Sequence, residues 1–403
     1  MATFAYVVKD KAGQTHSGSL DAESKSALIE QLWKKEFVVI SIEERQQKRT
    51  ALTRASGKVP TQQLVIFSRQ LATLITSGIS VISALDILAE QMDDRNFRPV
   101  LKRLKEEIEA GASLSEGIAK YPKVFSEFFI NMVRAGESSG RLDEILDRLA
   151  SSMEKIDTLV RKVKSSLFYP IMVTILAMGI TTFLVIFVVP KFKEIFSSMG
   201  GQLPLPTQML LNLSDSMRHY ALLEAGALAG LVVAFRMYIQ TSAGRLWFDR
   251  VKLRLPIVGK LFQKVAIARF ARTLATLVRS GVPILTALEI VAKTAGNRVI
   301  EVTVLQARSS IKEGQNIADP LARSQVFPPM VTRMIAVGEK TGELEKMLSK
   351  IADFYESEVD TAVSGLTSLI EPLVIAFLGV VVGGIVIALF LPIFQISRLV
   401  SGV

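Results

Sequence analysis

Two carboxylates stand in closely matched settings. Glu137 lies in Gly136-Glu137-Ser138-Ser139-Gly140-Arg141-Leu142, and Glu339 lies in Gly338-Glu339-Lys340-Thr341-Gly342-Glu343-Leu344. Two glycines four residues apart between apolar stretches describe a tight helix-turn-helix. Gly136 and Gly338 are expected at positive φ, which only glycine adopts freely, with Gly140 and Gly342 letting the next helix start close by. In that reading Glu137 and Glu339 belong to a turn. In the other they present a negative charge to a partner or to the other half of the chain. Neither is covalent chemistry, and the rest of the inventory agrees. There is no cysteine, hence no thiol nucleophile or thiolate metal site, and the imidazoles, His16 and His219, stand apart. Gly57-Lys58 is followed by Val59 and Gly259-Lys260 by Leu261, so no loop is built to cradle a nucleotide phosphate. Acid pairs such as Asp93-Asp94 and Glu106-Glu107 read as solvated helix faces. No catalytic residue, metal ligand or cofactor is expected.

The motif pair belongs to a longer repeat. FSRQLATLITSGISVISALDILAEQM at 67–92 aligns with FARTLATLVRSGVPILTALEIVAKTA at 270–295, twelve of 26 positions identical at an offset of 203. From 124–146 against 326–348 the offset is 202, so one residue is lost between Gly314 and Val326. Pro170 then faces Pro372, and a long apolar run follows each. A unit of about 120 residues is a duplicated domain and not a solenoid repeat.

Each copy must position its turn with helices. Phe67, Leu71, Leu74 and Ile75 form one stripe, matched by Phe270, Leu274, Leu277 and Val278. Gly78 and Gly281 are placed to end that helix. Ser80 caps the second helix in the first copy, and Pro283 takes a first-turn position in the other. The third helix ends at Gly111. Ser113-x-x-Glu116 predicts a capping box on a short fourth helix, with Asn316-x-x-Asp319 as its counterpart. Phe125–Ala135 is the fifth, and a sixth runs from about Arg141 towards the span. Each copy reads as a short-loop bundle of about six helices.

Composition places these bundles at a membrane. The chain of 403 residues is 49% hydrophobic yet 21% charged. Phe168–Val189 and Leu373–Phe394 carry no charge and are long enough to span. Tyr220–Ile239 holds Glu224 and Arg236 near its ends, where long side chains reach the interface. It is expected as the second crossing, since two bundles on one side need an even number of crossings between them. Lys and Arg number 25 in 1–167 and 18 in 240–372, but three in 190–219 and one after Phe394. This asymmetry places both bundles in the cytoplasm and the C-terminus outside. The net charge of +10 is read as membrane orientation and solvated faces, with no nucleic acid implied. Gly226-x-x-x-Gly230 and Gly379-x-x-x-Gly383 mark places where helices can approach closely.

The expected fold is therefore mainly α and integral to the membrane, with two homologous cytoplasmic bundles, three transmembrane helices and a small N-terminal ββαβ module. Strands are read at 4–10, 15–22 and 37–44, with a helix at Glu23–Lys35. The segments are a module (1–45), a basic linker (46–60), the first bundle (61–167), a span (168–189), a periplasmic loop (190–219), a second span (220–239), the second bundle (240–372), a third span (373–394) and a periplasmic tail (395–403). The opening MATFAYVVKDK lacks the apolar core of a signal peptide, which keeps the N-terminus cytoplasmic in this reading.

The duplicated F-x-R-x-L-A-T-L-x-x-S-G, the duplicated G-E-x-x-G-x-L, the proline-led spans and LPLPT at 203–207 resemble the inner-membrane platform family that includes the type II secretion F protein and the pilus assembly protein PilC. The resemblance covers essentially the whole chain. It implies a non-enzymatic platform in the bacterial inner membrane. Implied partners are a cytoplasmic hexameric ATPase docked beneath, pilin or pseudopilin subunits passing into a filament above, other inner-membrane assembly proteins, and further copies of the chain, a dimer being the expected form. In this view motion enters the bundles, the sixth helices carry it into the spans, and Pro170 and Pro372 set the angle. One departure is Asp319-Pro320 in place of Gly117-Ile118, which is expected to shorten the fourth helix of the second copy. A small permease fits less well, because three spans carry few polar groups at membrane depth. A membrane-anchored sensor lacks an output domain. Pilus and secretion pseudopilus stay open as the filament.

Overall fold

The computed structural model describes residues 2–9, 15–22, 29, 38–44, 59–198, 204–256 and 258–400. The first copy folds as α1 (Thr61–Thr76), α2 (Val81–Gln91), α3 (Phe97–Glu109), α4 (Leu114–Ala119), α5 (Glu127–Ser139) and α6 (Leu142–Phe183). A π-helical turn (Leu184–Val188) leads into α7 (Val189–Ser198), then α8 (Leu205–His219), α9 (Ala221–Gln240) and α10 (Ser242–Arg254). The second copy is α11 (Val258–Arg279), α12 (Ile284–Thr294), α13 (Arg298–Lys312), α14 (Ala318–Arg323), α15 (Pro329–Thr341) and α16 (Leu344–Val400). At the N-terminus β1 (Ala2–Lys9) lies between β2 (Thr15–Ala22) and β3 (Val38–Glu44), antiparallel to both. The expected helix at 23–35 lies outside the described residues except for Ile29, as does the basic linker up to residue 58.

The helix ends follow local chemistry. Gly78 and Gly281 have φ of 83° and 78°, the left-handed geometry that closes α1 and α11. The Ser80 hydroxyl accepts from the Ser83 N–H at the start of α2. Ser113 and Glu116 form the reciprocal capping box on α4. The second copy departs from expectation in three places. Pro283 is the residue before the first turn of α12 and not within it. Asn316 caps nothing, because α14 begins after Ile317 with no side-chain cap of its own. Pro320 does not shorten α14, which has 6 residues like α4. It sits in the first turn, where a missing N–H is tolerated.

Both bundles share one hydrophobic core that runs from Val59 to Leu366. In the first copy Phe67 meets Phe97 edge-on at 5.2 Å, and in the second Phe270 meets Phe327 at 5.0 Å. The copies join where α6 packs on α16 and α11, and α5 on α12. Lys162–Asp360 and Lys293–Glu127 pair at 2.6 Å, and Arg148 Nη1 donates to the Arg279 carbonyl at 2.8 Å.

Among the described residues three helices are long and apolar enough to cross a membrane, within Leu142–Phe192, Leu223–Gln240 and Leu344–Pro392. Two of them are direct continuations of a bundle helix. α16 is 57 residues long, about 85 Å at 1.5 Å per residue. The middle span, α9, stands apart. Its side chains from Leu223 to Tyr238 are all exposed, and its contacts are to its chain neighbours α8 and α10.

The stretch expected as a loop at 190–219 is largely helical. Pro190 and Pro392 explain how α8 is held. In the π-helical turn the Val189 N–H bonds back to the Leu184 carbonyl. The next donor in that register would be residue 190, and proline has no N–H, so the Val185 carbonyl is left for another partner. The Ser214 hydroxyl of α8 supplies it at 2.6 Å. The Ala388 carbonyl in α16 faces Pro392 four residues on and is orphaned in the same way. The Thr207 hydroxyl supplies its donor. Thr207 and Ser214 are both fully buried, beside an apolar cluster of Val185, Val189, Leu211, Ile385 and Leu389. One helix thus ties together the far ends of the first and third spans.

Candidate functional site

The repeated turn works differently from the reading of its glycines in sequence. α5 continues through Gly136 to Ser139, and Gly140 ends it in the left-handed region at φ 68°. The Arg141 N–H bonds to the Gly136 carbonyl at 3.0 Å and the Gly140 N–H to that of Glu137 at 3.2 Å, a Schellman closure. Gly342 ends α15 in the left-handed region as well, at φ 74°. The positive φ expected at Gly136 and Gly338 is therefore found one turn later. Gly136 and Gly338 are needed for closeness. A Cβ at Gly136 would stand 3.1 Å from Leu142 Cα, and at Gly338 2.9 Å from Leu344 Cα. The backbone of α5 lies directly against the start of α6, and that of α15 against the start of α16.

The carboxylates turn inward. Glu137 accepts from the backbone N–H groups of Leu114 at 2.6 Å and Ser115 at 3.2 Å. Glu339 accepts from the Ile317 N–H at 2.9 Å and 3.0 Å. Each is a negative charge at the N-terminus of the short fourth helix, where helix dipole and free N–H groups favour it. Both oxygens of each accept from backbone N–H groups of the same bundle, and both side chains are half-buried. Replacing Glu137 with Ala is expected to lower stability by about 1–2 kcal/mol, the cost of a lost helix cap. Glu137→Gln should lose less, since its amide oxygen still accepts. Thermal unfolding of the full chain in detergent reads both, and an unchanged Glu137→Ala would remove the cap from the account.

A second duplicated feature was hidden in the motif's arginine. Arg69 grips Glu154 on α6 with Nε at 2.7 Å and Nη2 at 2.6 Å, and reaches Asp147 at 2.6 Å. Arg272 holds Glu356 at 2.8 Å and Asp353 at 2.5 Å on α16. The bidentate bond from Arg69 holds the Glu154 carboxyl below the usual carboxylate range. That pairing is complete at neutral pH and fades only as the pH falls through the lowered value. In each copy the arginine two residues after the motif phenylalanine bolts the first helix to the helix that enters the membrane.

The remaining residues singled out by sequence fall into two groups. Pro170 is buried and Pro372 exposed, and both helices run on through them. Gly226, Gly230, Gly379 and Gly383 have open space where a side chain would be, so none makes a close helix contact within the chain.

The family described as Type II secretion system (T2SS), protein F matches residues 67–190 and again 270–392, and its N-terminal domain matches 1–43. The chain belongs to the type II secretion system protein F family. With three apolar helices, it is an inner-membrane member of that family. Among its relatives, the type IV pilus assembly protein PilC of Thermus thermophilus is 44% identical over the whole of both chains. That of Myxococcus xanthus is 42% identical over 98% of this chain and 95% of its own. The type II secretion system protein F of Vibrio cholerae is 34% identical over the whole of both. Both family matches open on the phenylalanine of the repeated motif, Phe67 and Phe270, and close on Pro190 and Pro392. The paired prolines that orphan the two carbonyls thus end the family unit itself.

Proposed function

We propose that the chain is the non-enzymatic inner-membrane platform of a type IV pilus or type II secretion assembly machine. In this reading the bundles lie in the cytoplasm and meet a hexameric ATPase, and the spans work on pilin or pseudopilin segments in the bilayer. The chain assembles with further copies of itself and with other inner-membrane assembly proteins. The identity with PilC proteins is higher than with the secretion F protein, which favours a pilus. The charge asymmetry of the loops supports the orientation.

The observation that carries this reading is the direct passage of α6 and α16 from one shared core into two spans. A push or twist delivered to the bundles has no joint in which to dissipate before the bilayer. Inserting four glycines after Lys164 and after Leu366 introduces such a joint, and inserting four alanines of the same length does not. The expected result is that the glycine variant still inserts and still captures the ATPase but assembles no filaments, whereas the alanine variant retains a measurable fraction. Alkaline phosphatase fused after Val403 should be active in both, as the orientation requires. Equal filament output from the two variants would overturn coupling through continuous helices, and an inactive fusion would overturn the orientation.

A further inference from the structure

Between the bundles, α6 and α11 border a cavity of about 320 Å³ whose lining includes Arg161, Lys164, Arg269 and a single carboxylate, Asp157. Arg269 is the unusual member. Its Nε is buried without a hydrogen-bond acceptor. Burial pulls its pKa down, and no carboxylate offsets the effect. Asp157, 8% exposed, lies 2.9 Å from Arg161 in an ion pair and makes no hydrogen bond to Arg269, although its Oδ2 is itself buried without a hydrogen-bond partner.

Arg269 is half-buried, with its Nε shut away from water and acceptor alike; desolvating part of a cation without a partner is costly, and proteins that keep one generally supply an anion. The repeat shows that the framework does not require it. Arg69 and Arg272, which are framework, are both clamped by carboxylates. Arg269 corresponds at the 203 offset to Ile66, 41% exposed on the other copy, and Asp157 at the 202 offset to Val359. The charges of this cavity are therefore additions to one side of a duplicated bundle. Gly296, at φ 74°, leaves room for the guanidinium, since a Cβ there would stand 3.0 Å from Nη1. Phe128 and Met153 give the cavity an apolar wall. Lys164 is four residues before Phe168, about 6 Å along the helix from the apolar run, so the cavity adjoins the bilayer surface.

We propose that this cavity binds an amphipathic phosphate-bearing anion, the phosphate against Arg269 and Lys164 and the remainder against Phe128 and Met153. Arginine's planar fork suits phosphate oxygens, and the volume suits one small phosphate ester. Such a ligand can come from the bilayer as a glycerophospholipid headgroup or from solution as a mononucleotide, and the test separates them. The full chain is placed in phosphatidylcholine nanodiscs with or without phosphatidylglycerol, or titrated with AMP. Bound lipid is counted by native mass spectrometry and bound AMP by equilibrium dialysis. One probe should bind saturably, about one per chain. Arg269→Ile, which copies Ile66, should weaken that binding by about tenfold or more, while Arg250→Gln, removing an exposed arginine elsewhere, leaves it unchanged. Without probe, Arg269→Ile should unfold at a temperature equal to or above that of the unaltered chain, since it removes a half-buried charge whose Nε has no acceptor. Binding in the lipid arm assigns a headgroup, and binding in the AMP arm a soluble phosphate. Failure of both probes, equal loss in the two variants, or destabilisation by Arg269→Ile overturns the proposal.

Discussion

Gly338→Val is expected to destabilise the chain by about 3 kcal/mol, the upper end of what overpacking a close contact costs. The added Cβ would meet Leu344 Cα at 2.9 Å and Met347 Cγ at 3.0 Å. The first of these is backbone and cannot swing aside, so α15 must lift off the start of α16. Lifting it also withdraws Glu339 from the Ile317 N–H, and α14 loses that side-chain anchor at its start. Gly342→Ala strains a left-handed residue in open space and should cost about 1 kcal/mol. Thermal unfolding of the two variants in detergent ranks them. If the alanine at the left-handed position proves the more damaging, the close-approach account of Gly338 fails.

The second large effect is expected at the other side of the membrane domain. Removing both hydroxyls, Thr207→Val with Ser214→Ala, leaves two buried carbonyls without donors, at about 1–3 kcal/mol each. The prolines offer an internal control. Pro190→Ala restores a backbone N–H near the Val185 carbonyl, and Pro392→Ala does so for Ala388. The hydroxyl substitutions should therefore cost less in the alanine backgrounds, a coupling of about 1 kcal/mol per pair in a double-mutant cycle. Strictly additive losses would show that the hydroxyls act for some reason other than the missing N–H groups.

Much of this architecture was legible in sequence, and the exceptions share a cause. Apolar runs without charge and a repeat at fixed offset are local or self-referential signals, and they located the spans and bundles. Gly136 and Gly140 look alike on the page. Which of them serves φ and which serves closeness depends on where Leu142 comes to rest. Glu137 caps N–H groups 22 and 23 residues upstream, a distance no capping pattern covers. Asn316 misled because it matched a local pattern that Glu339 had made unnecessary. LPLPT marks the family resemblance, but its threonine takes on a role only once Ala388 lies beside it. The sequence holds one further signal. The 202 offset that pairs Pro170 with Pro372 also pairs Pro190 with Pro392, and it marks the two places where α8 is tied to the spans.

The single core shared by the two copies has a consequence for how the chain is made. The side of α6 that meets the second copy carries Ser152, which accepts from Thr276 of α11, and Leu159, which lines one cavity with Glu356 and Asp360 of α16. When the first bundle leaves the ribosome, none of those partners has been synthesised. At roughly 5–20 residues per second, the interval before residue 360 emerges is on the order of ten seconds or more. During that time two membrane segments must also be inserted. The first copy thus spends its infancy with half an interface bare, and other proteins are given an opportunity to occupy it. Biosynthesis of this protein should lean on chaperones at that stage, and a chain cut between the copies would meet the same exposure permanently.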